Sequence, residues 1–212
     1  MKLTYWIMLL MFFVFLLQVL YPGLVDSYVF SSAALFERPW TIITSVFMHA
    51  NPVHLLSNIF VFFFFGLAVE EEMSKGTMFF IFMLGAIVGN LASMAVYPPG
   101  TMFLGASAGI FALVGTGMLV RPLDWSVAPF LLPLPLVFIG ILYAVLNIYS
   151  FVAGIDEGIS YAGHMAGLAI GLLYGFRRTG FKKGVRTIAL ATVVLIVLII
   201  TIPLVLSYLG FV

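Results

Sequence analysis

The chain has 212 residues, of which 64% are hydrophobic and only 8% are charged, and its formal net charge is +1. Soluble domains carry about 25% charged residues, so this composition excludes a soluble fold and indicates that most of the chain faces lipid or other membrane helices. The small net charge gives no reason to expect a nucleic-acid partner, and the lack of cysteine excludes disulfides, thiolate metal sites and a cysteine nucleophile.

Seven apolar segments, separated by polar residues or by proline and glycine, predict seven membrane-spanning helices. They cover residues 3–21, 54–69, 77–97, 104–120, 127–149, 160–176 and 187–209. The first run is longer than the apolar region of a secretory signal peptide, so we interpret it as a retained span. The long connection between the first two spans suits a short interfacial helix or a partly inserted loop. We therefore expect an all-α membrane protein with a single transmembrane domain over residues 1–212.

Lysine and arginine are distributed unevenly between the two sides of this predicted topology. With the N-terminus inside, the outer loops carry only Arg38, and the inner side carries Lys2, Lys75, Arg121, Arg177, Arg178, Lys182, Lys183 and Arg186. Cytoplasmic loops of membrane proteins carry an excess of basic residues. We therefore expect a multi-pass protein with a cytoplasmic N-terminus, in which the second, fourth and sixth spans begin at the outer face.

The residues capable of nucleophilic chemistry lie at this outer level. Ser107 stands in a Gly-Ala-Ser-Ala-Gly sequence at the start of the fourth span, His164 near the start of the sixth, and His49 and His54 around the start of the second. A lone serine among small residues is more often a packing residue of a membrane helix. Ionisable groups at membrane depth, however, tend to mark function, and a neutral histidine is the usual base that activates a serine hydroxyl.

Glycine recurs every four residues in the sixth span, at Gly163, Gly167, Gly171 and Gly175. Such a stripe lets another helix approach closely, and the fourth span offers a matching face of glycine and alanine. Close packing of these two spans would bring the imidazole of His164, which follows Gly163 directly, close to the Ser107 hydroxyl. The glycine pattern therefore predicts the proximity that the chemistry requires.

A polar pocket for a tetrahedral intermediate is also indicated. Asn58 lies four residues after His54, on the same helix face, and asparagine amides are good donors to a developing oxyanion. Together with His49 and the Ser107 backbone N–H, Asn58 is a candidate to line that pocket. No acidic third member is evident, because Asp156 and Glu157 lie in an outer loop at an unsuitable position.

These motifs, in this order, resemble the rhomboid family of intramembrane serine proteases. The resemblance rests on residues 40–58 (WTIITSVFMHANPVHLLSN), 105–115 (GASAGIFALVG) and 160–171 (SYAGHMAGLAIG). It implies six core transmembrane helices, over about residues 1–178, plus one C-terminal helix over about residues 186–209. It also implies a serine endopeptidase that uses no cofactor or metal, with single-span membrane proteins as substrates and the lipid bilayer as its surroundings.

The resemblance further implies residue roles. Ser107 would be the nucleophile and His164 the general base, acting as a dyad. The supporting roles would fall to His49 and Asn58 at the oxyanion, His54 in the loop, Gly105 before the nucleophile, and Phe111 stacked on the imidazole. Two positions depart from the family's usual pattern: Ala108 follows the serine where glycine is most common, and Thr41 stands where many members carry arginine, with Arg38 nearby.

Other functions are compatible with parts of this sequence. The order Ser107, Asp156, His164 fits an α/β-hydrolase, but that nucleophile turn requires a soluble sheet and here both flanks are membrane helix. A metalloprotease using the three histidines lacks a His-Glu-x-x-His motif and a carboxylate base. A rhomboid-like protein that binds membrane clients without cleaving them remains open, whereas a transporter is disfavoured because no internal repeat is found. The short loops favour a prokaryotic plasma membrane, with the site open to the outside.

Overall fold

The computed structural model describes residues 1–125, 134–155 and 158–208. In this part of the chain the α-helices are α1 (Leu3–Leu20), α2 (Leu24–Tyr28), α3 (Thr41–Thr44), α4 (Pro52–Glu72), α5 (Lys75–Val96), α6 (Ser107–Val120), α7 (Leu136–Val152), α8 (Tyr161–Thr179) and α9 (Phe181–Tyr208). Two short strands, β1 (Phe30–Ser31) and β2 (Met102–Phe103), pair antiparallel. This pairing ties the long loop after α1 to the segment that leads into α6.

Among the described residues, four helices, α1, α4, α5 and α9, are long and apolar enough to cross a membrane by length and composition. Helices α6 and α7 are apolar but shorter, with 14 and 17 residues. The predicted all-α membrane class is therefore confirmed, whereas the count of six plus one spans stays a prediction.

Several predicted span boundaries differ from the helices. The fourth span was predicted from residue 104, but α6 begins at Ser107 because Gly105 has a φ of +114°, which is incompatible with a helix. The last span was predicted from residue 187, but α9 already begins at Phe181, since the basic stretch before it is helical. Residue 127, the predicted start of the fifth span, lies outside the described residues, and α7 begins directly after Pro135.

One end of the bundle is held together by charged side chains. Glu70 of α4 is 5% exposed, and its carboxylate accepts hydrogen bonds from the backbone N–H groups of Leu3 and Thr4 at 2.8 and 2.9 Å. It thereby satisfies N–H groups at the start of α1 that have no partner within the helix. At the same end, Glu71 forms ion pairs with Lys2 and Arg121. Lys2 and Arg121, two of the basic residues that the loop-charge pattern places on one side of the membrane, thus lie close together.

Helix α6 lies at the centre of the bundle, and every residue from Gly109 to Leu119 is buried. Helix α8 packs along it in backbone contact: a Cβ atom on Gly167 or Gly171 would collide with the carbonyl oxygen of Ala108 or Ala112. The Thr116 hydroxyl also lies 3.0 Å from the Gly171 carbonyl oxygen, across the same interface. The close packing predicted from the glycine stripe is therefore confirmed.

Replacing Gly171 with alanine should destabilise the protein, because the new methyl group would enter the space of a backbone carbonyl that cannot rotate away. Overpacking of this kind costs about 1–3 kcal/mol, more than the gain of up to ~1 kcal/mol in helix propensity. Gly76→Ala is the matched control, since Gly76 also lies in a helix and has no atom within 4 Å of an added Cβ. Thermal unfolding in detergent should show a lower midpoint for Gly171→Ala only. Equal midpoints for the two variants would contradict the packing described here.

Candidate active site

Ser107 is the first residue of α6, directly after a sharp turn. Gly105 in this turn has a φ of +114°, a backbone angle that residues with a side chain rarely adopt. Its N–H donates to the Ser45 carbonyl at 2.9 Å. A Cβ atom on Gly105 would also lie 2.7 Å from Cε1 of the His54 ring. The turn thus requires glycine for its backbone conformation and for the space taken by His54. It places Ser107 where the first N–H groups of α6 have no partner within the helix.

The Ser107 hydroxyl is paired with His164 of α8. Oγ of Ser107 lies 2.7 Å from Nε2 of His164, a hydrogen-bond distance. His164 occupies the first turn of α8, which Ser160 caps by accepting the N–H of Gly163 at 3.2 Å. Serine and histidine are therefore joined at the same end of two helices that touch through their backbones.

Side chains of α6 and α7 also contact the His164 ring. The ring of Phe111 stacks on it with centroids 4.5 Å apart and an interplanar angle of 13°. The side-chain oxygen of Asn147, on α7, lies 2.8 Å from Nδ1 of His164. The imidazole is thus contacted on its face by α6, at Nε2 by the serine, and at Nδ1 by α7.

Asn147 was not singled out in the sequence. It is 5% exposed, within a helix that is otherwise almost entirely apolar, and its amide nitrogen donates to the Tyr161 carbonyl at 3.1 Å. The histidines were identified as candidates because they are polar side chains in apolar segments. The same signal is present at Asn147 in the sequence and could have identified this residue. Asp156 and Glu157, considered as acidic partners of His164, lie outside the described residues.

The histidines near the start of α4 have different surroundings. His49 is 1% exposed, and its backbone N–H and carbonyl pair with the side-chain amide of Gln18 on α1 at 3.0 and 3.1 Å. Burial, and to a smaller extent the neighbouring His54 ring, lower the pKa of His49, so this imidazole is neutral at neutral pH. These contacts fix the loop to α1.

His54 instead faces the nucleophile turn. Its ring is partly buried and lies against Gly105, with the His49 ring behind it at 5.2 Å between centroids. The resemblance implied that His49 serves the oxyanion and that His54 supports the loop. These roles stay predictions: the structure places the His54 ring against Gly105 and buries His49 in the loop before α4.

Asn58 follows His54 on the same face of α4, which begins with the cap of Asn51 and with Pro52 in its first turn. Asn58 is 6% exposed, and its amide nitrogen donates to the His54 carbonyl at 2.9 Å. A side-chain amide carries two hydrogens. The bond to the His54 carbonyl uses one of them.

The two positions that depart from the family's usual pattern have structural explanations. A Cβ atom on Gly89 of α5 would lie 2.5 Å from the Ala108 Cβ, so the Ala108 methyl occupies space that Gly89 leaves free between α5 and α6. Thr41 is fully buried, and its hydroxyl donates to the Arg38 carbonyl at 2.7 Å. Arg38 lines a cleft together with Asp26 and Glu37.

The model of the Rhomboid domain matches residues 37–181, more than half of the chain. The chain therefore belongs to the rhomboid family, which confirms the membership that the three motifs predicted. The matched region contains every residue discussed above for the site except Gln18 and Asp26.

Curated relatives agree with this membership. The chain is 29% identical over 124 residues to Rhomboid-like protein 11, chloroplastic, of Arabidopsis thaliana, covering 58% of this chain and 43% of that protein. It is 27% identical over 136 residues to Rhomboid-like protease 2 of Toxoplasma gondii, covering 64% and 46%. It is also 26% identical over 141 residues to Inactive rhomboid-related protein 2 of Caenorhabditis elegans, covering 65% and 40%. The chain spans less than half the length of each of these relatives.

Gly105→Ala should destabilise the protein more than Gly100→Ala. Both glycines have positive φ, so both substitutions carry a backbone strain of about 1–3 kcal/mol. Gly100 has no atom within 4 Å of an added Cβ, whereas Gly105 has the His54 ring at 2.7 Å. The midpoint of thermal unfolding should fall several degrees further for Gly105→Ala. If the two midpoints fall equally, the His54 ring does not press on this turn.

Proposed function

We propose that the protein is an intramembrane serine endopeptidase that cleaves transmembrane segments of other membrane proteins. The observation that carries this proposal is the distance of 2.7 Å between Ser107 Oγ and His164 Nε2. Membership of the rhomboid family supports it, as does the name of the Toxoplasma gondii relative, a rhomboid-like protease.

In the proposed reaction, Ser107 Oγ attacks the scissile carbonyl carbon while its proton passes to Nε2 of His164. Collapse of the tetrahedral intermediate breaks the C–N bond, and His164 returns that proton to the leaving amine. Water then attacks the acyl-enzyme, its proton passes to His164, and Ser107 leaves with that proton restored to Oγ. The products are two peptide segments, and the enzyme is regenerated with no other reactant.

The negative charge on the intermediate needs hydrogen-bond donors. We assign this role to the backbone N–H of Ser107, to the second amide hydrogen of Asn58, and to His54 in place of His49. The location of His54 against Gly105, two residues before the nucleophile, supports this assignment. Loss of one such donor typically costs about 3–4 kcal/mol of barrier.

The proposal includes an orientation in the membrane. We infer six core spans plus α9, a cytoplasmic N-terminus, and a site that opens to the outside. The cluster of Lys2, Arg121 and Arg178 with acidic residues of α4 at one end of the bundle supports this, since basic residues favour the cytoplasmic side. The short loops suit a prokaryotic plasma membrane.

The proposed substrates are single-span membrane proteins. A transmembrane helix satisfies its own backbone hydrogen bonds, so its carbonyl groups are protected until the helix unwinds locally. We therefore expect preference for substrates with helix-destabilising residues and small side chains near the cleaved bond.

Client binding without cleavage is the second candidate function. It is favoured by the similarity to Inactive rhomboid-related protein 2 of Caenorhabditis elegans. Against it, this chain retains both the serine and the histidine, within hydrogen-bond distance of each other. We therefore place proteolysis first.

Purified protein in liposomes should cleave a model single-span substrate, and Ser107→Ala should reduce the rate by at least about a thousandfold, because no other nucleophile replaces the hydroxyl. Ser74→Ala is the matched control: Ser74 also lies at a helix start, but its Oγ accepts the Thr77 N–H at the far end of the bundle. This control should lose about 1 kcal/mol of stability and keep its activity.

Three results would contradict the proposal in different ways. Cleavage that survives Ser107→Ala but stops with a zinc chelator would favour a metalloprotease. Cleavage lost equally in the two serine variants would indicate a folding defect rather than a lost nucleophile. Stable binding of the substrate by wild-type protein, without any cleavage, would favour client binding.

A further inference from the structure

The side chain of Asn147 links α7 to α8 at the catalytic histidine. Its oxygen lies 2.8 Å from Nδ1 of His164, and its nitrogen lies 3.1 Å from the carbonyl oxygen of Tyr161. The side chain is 5% exposed, so both hydrogen bonds form away from bulk solvent. A buried amide with its two polar atoms paired to fixed groups has one stable orientation.

These two contacts determine which ring nitrogen of His164 carries the proton. The Tyr161 carbonyl can only accept a hydrogen bond, so the amide nitrogen of Asn147 must face it. The amide oxygen then faces Nδ1, and an amide oxygen can only accept, so Nδ1 must be the protonated nitrogen. Nε2 of the neutral ring is left with its lone pair directed at the Ser107 hydroxyl, 2.7 Å away.

Stacking on Phe111 cannot perform this selection. A stacked ring fixes the plane of the imidazole, but both ring nitrogens lie in that plane. The opposite tautomer would present an N–H group to Ser107 and could not accept its proton. An acceptor at Nδ1 is therefore needed in addition to the stacking.

We propose that Asn147 is the positioning residue of the Ser107–His164 pair, which holds His164 in the tautomer that can act as a base. This inference rests on the proposed function. A carboxylate would serve the same purpose, but an ionised group at this depth carries a large desolvation cost. A neutral amide orients the ring without that cost. Three helices then contribute to the site: α6 carries the nucleophile, α8 the base and α7 the positioning group.

The tautomer can be measured without any activity assay. The chain has three histidines, so selective ¹⁵N-histidine labelling gives few ring resonances, and a His164→Gln variant identifies those of His164. In wild-type protein at neutral pH, Nδ1 of His164 should be protonated and Nε2 should not. Protonation at Nε2 in the wild type would overturn the proposal, even if the protein cleaves substrates through Ser107.

Kinetics of Asn147→Leu provide the second test. This variant replaces the amide, and with it the hydrogen-bond acceptor, by an apolar side chain of similar size. We expect kcat to fall about 10- to 100-fold, as for loss of groups that orient a functional histidine. KM should change less than about twofold, since uniform substrate binding is untouched. The matched control is Thr116→Val, which removes a buried hydrogen bond between α6 and α8 that does not touch the site.

The outcomes separate this inference from the proposed function. A fall in kcat for Asn147→Leu alone, with KM preserved, supports positioning. Unchanged kcat, a rise in KM alone, or an equal loss in Thr116→Val would overturn it while leaving the Ser107 mechanism intact. If wild-type protein cleaves nothing, the proposed function fails, and the ¹⁵N measurement still decides the tautomer. The same measurement decides the question if Asn147→Leu does not fold.

Discussion

The backbone contact between α6 and α8 is the constraint on which the site depends. Because Gly167 and Gly171 carry no side chain, the carbonyl groups of Ala108 and Ala112 approach the axis of α8 closely. If α6 and α8 were farther apart by the width of one methyl group, His164 would lie out of hydrogen-bond range of Ser107. The hydrogen bond between Ser107 and His164 thus depends on a stripe of glycine several turns long.

Elsewhere in this apolar bundle, single polar side chains hold helices together through hydrogen bonds. Each of them joins two parts of the chain that are distant in sequence. Glu70 holds the start of α1 against the end of α4, and Gln18 clamps the His49 backbone. Asn147 bridges α7 and the first turn of α8. In a medium with little water, an unpaired polar group is costly, so each of these pairings strongly favours one arrangement of the helices.

Local patterns explain how much of this was predictable. The four-residue glycine repeat and the chemistry of serine and histidine pointed to α6, α8 and the pair Ser107 and His164, since each signal lies within one helix. The partners of Glu70, Gln18 and Asn147 lie 66, 31 and 17 residues away, and no periodicity connects them. The different surroundings of His49 and His54 were likewise unpredictable, because side-chain directions in a loop depend on the folded backbone.

The central claim is that His164 activates Ser107, and covalent labelling by a fluorophosphonate tests it most directly. Such a reagent modifies a serine only when a neighbouring base accepts its proton. Peptide mapping by mass spectrometry should locate the adduct on Ser107 in the wild-type protein, and His164→Gln should remove it while the protein stays folded. Labelling that persists in His164→Gln, or an adduct on another serine, would contradict the account.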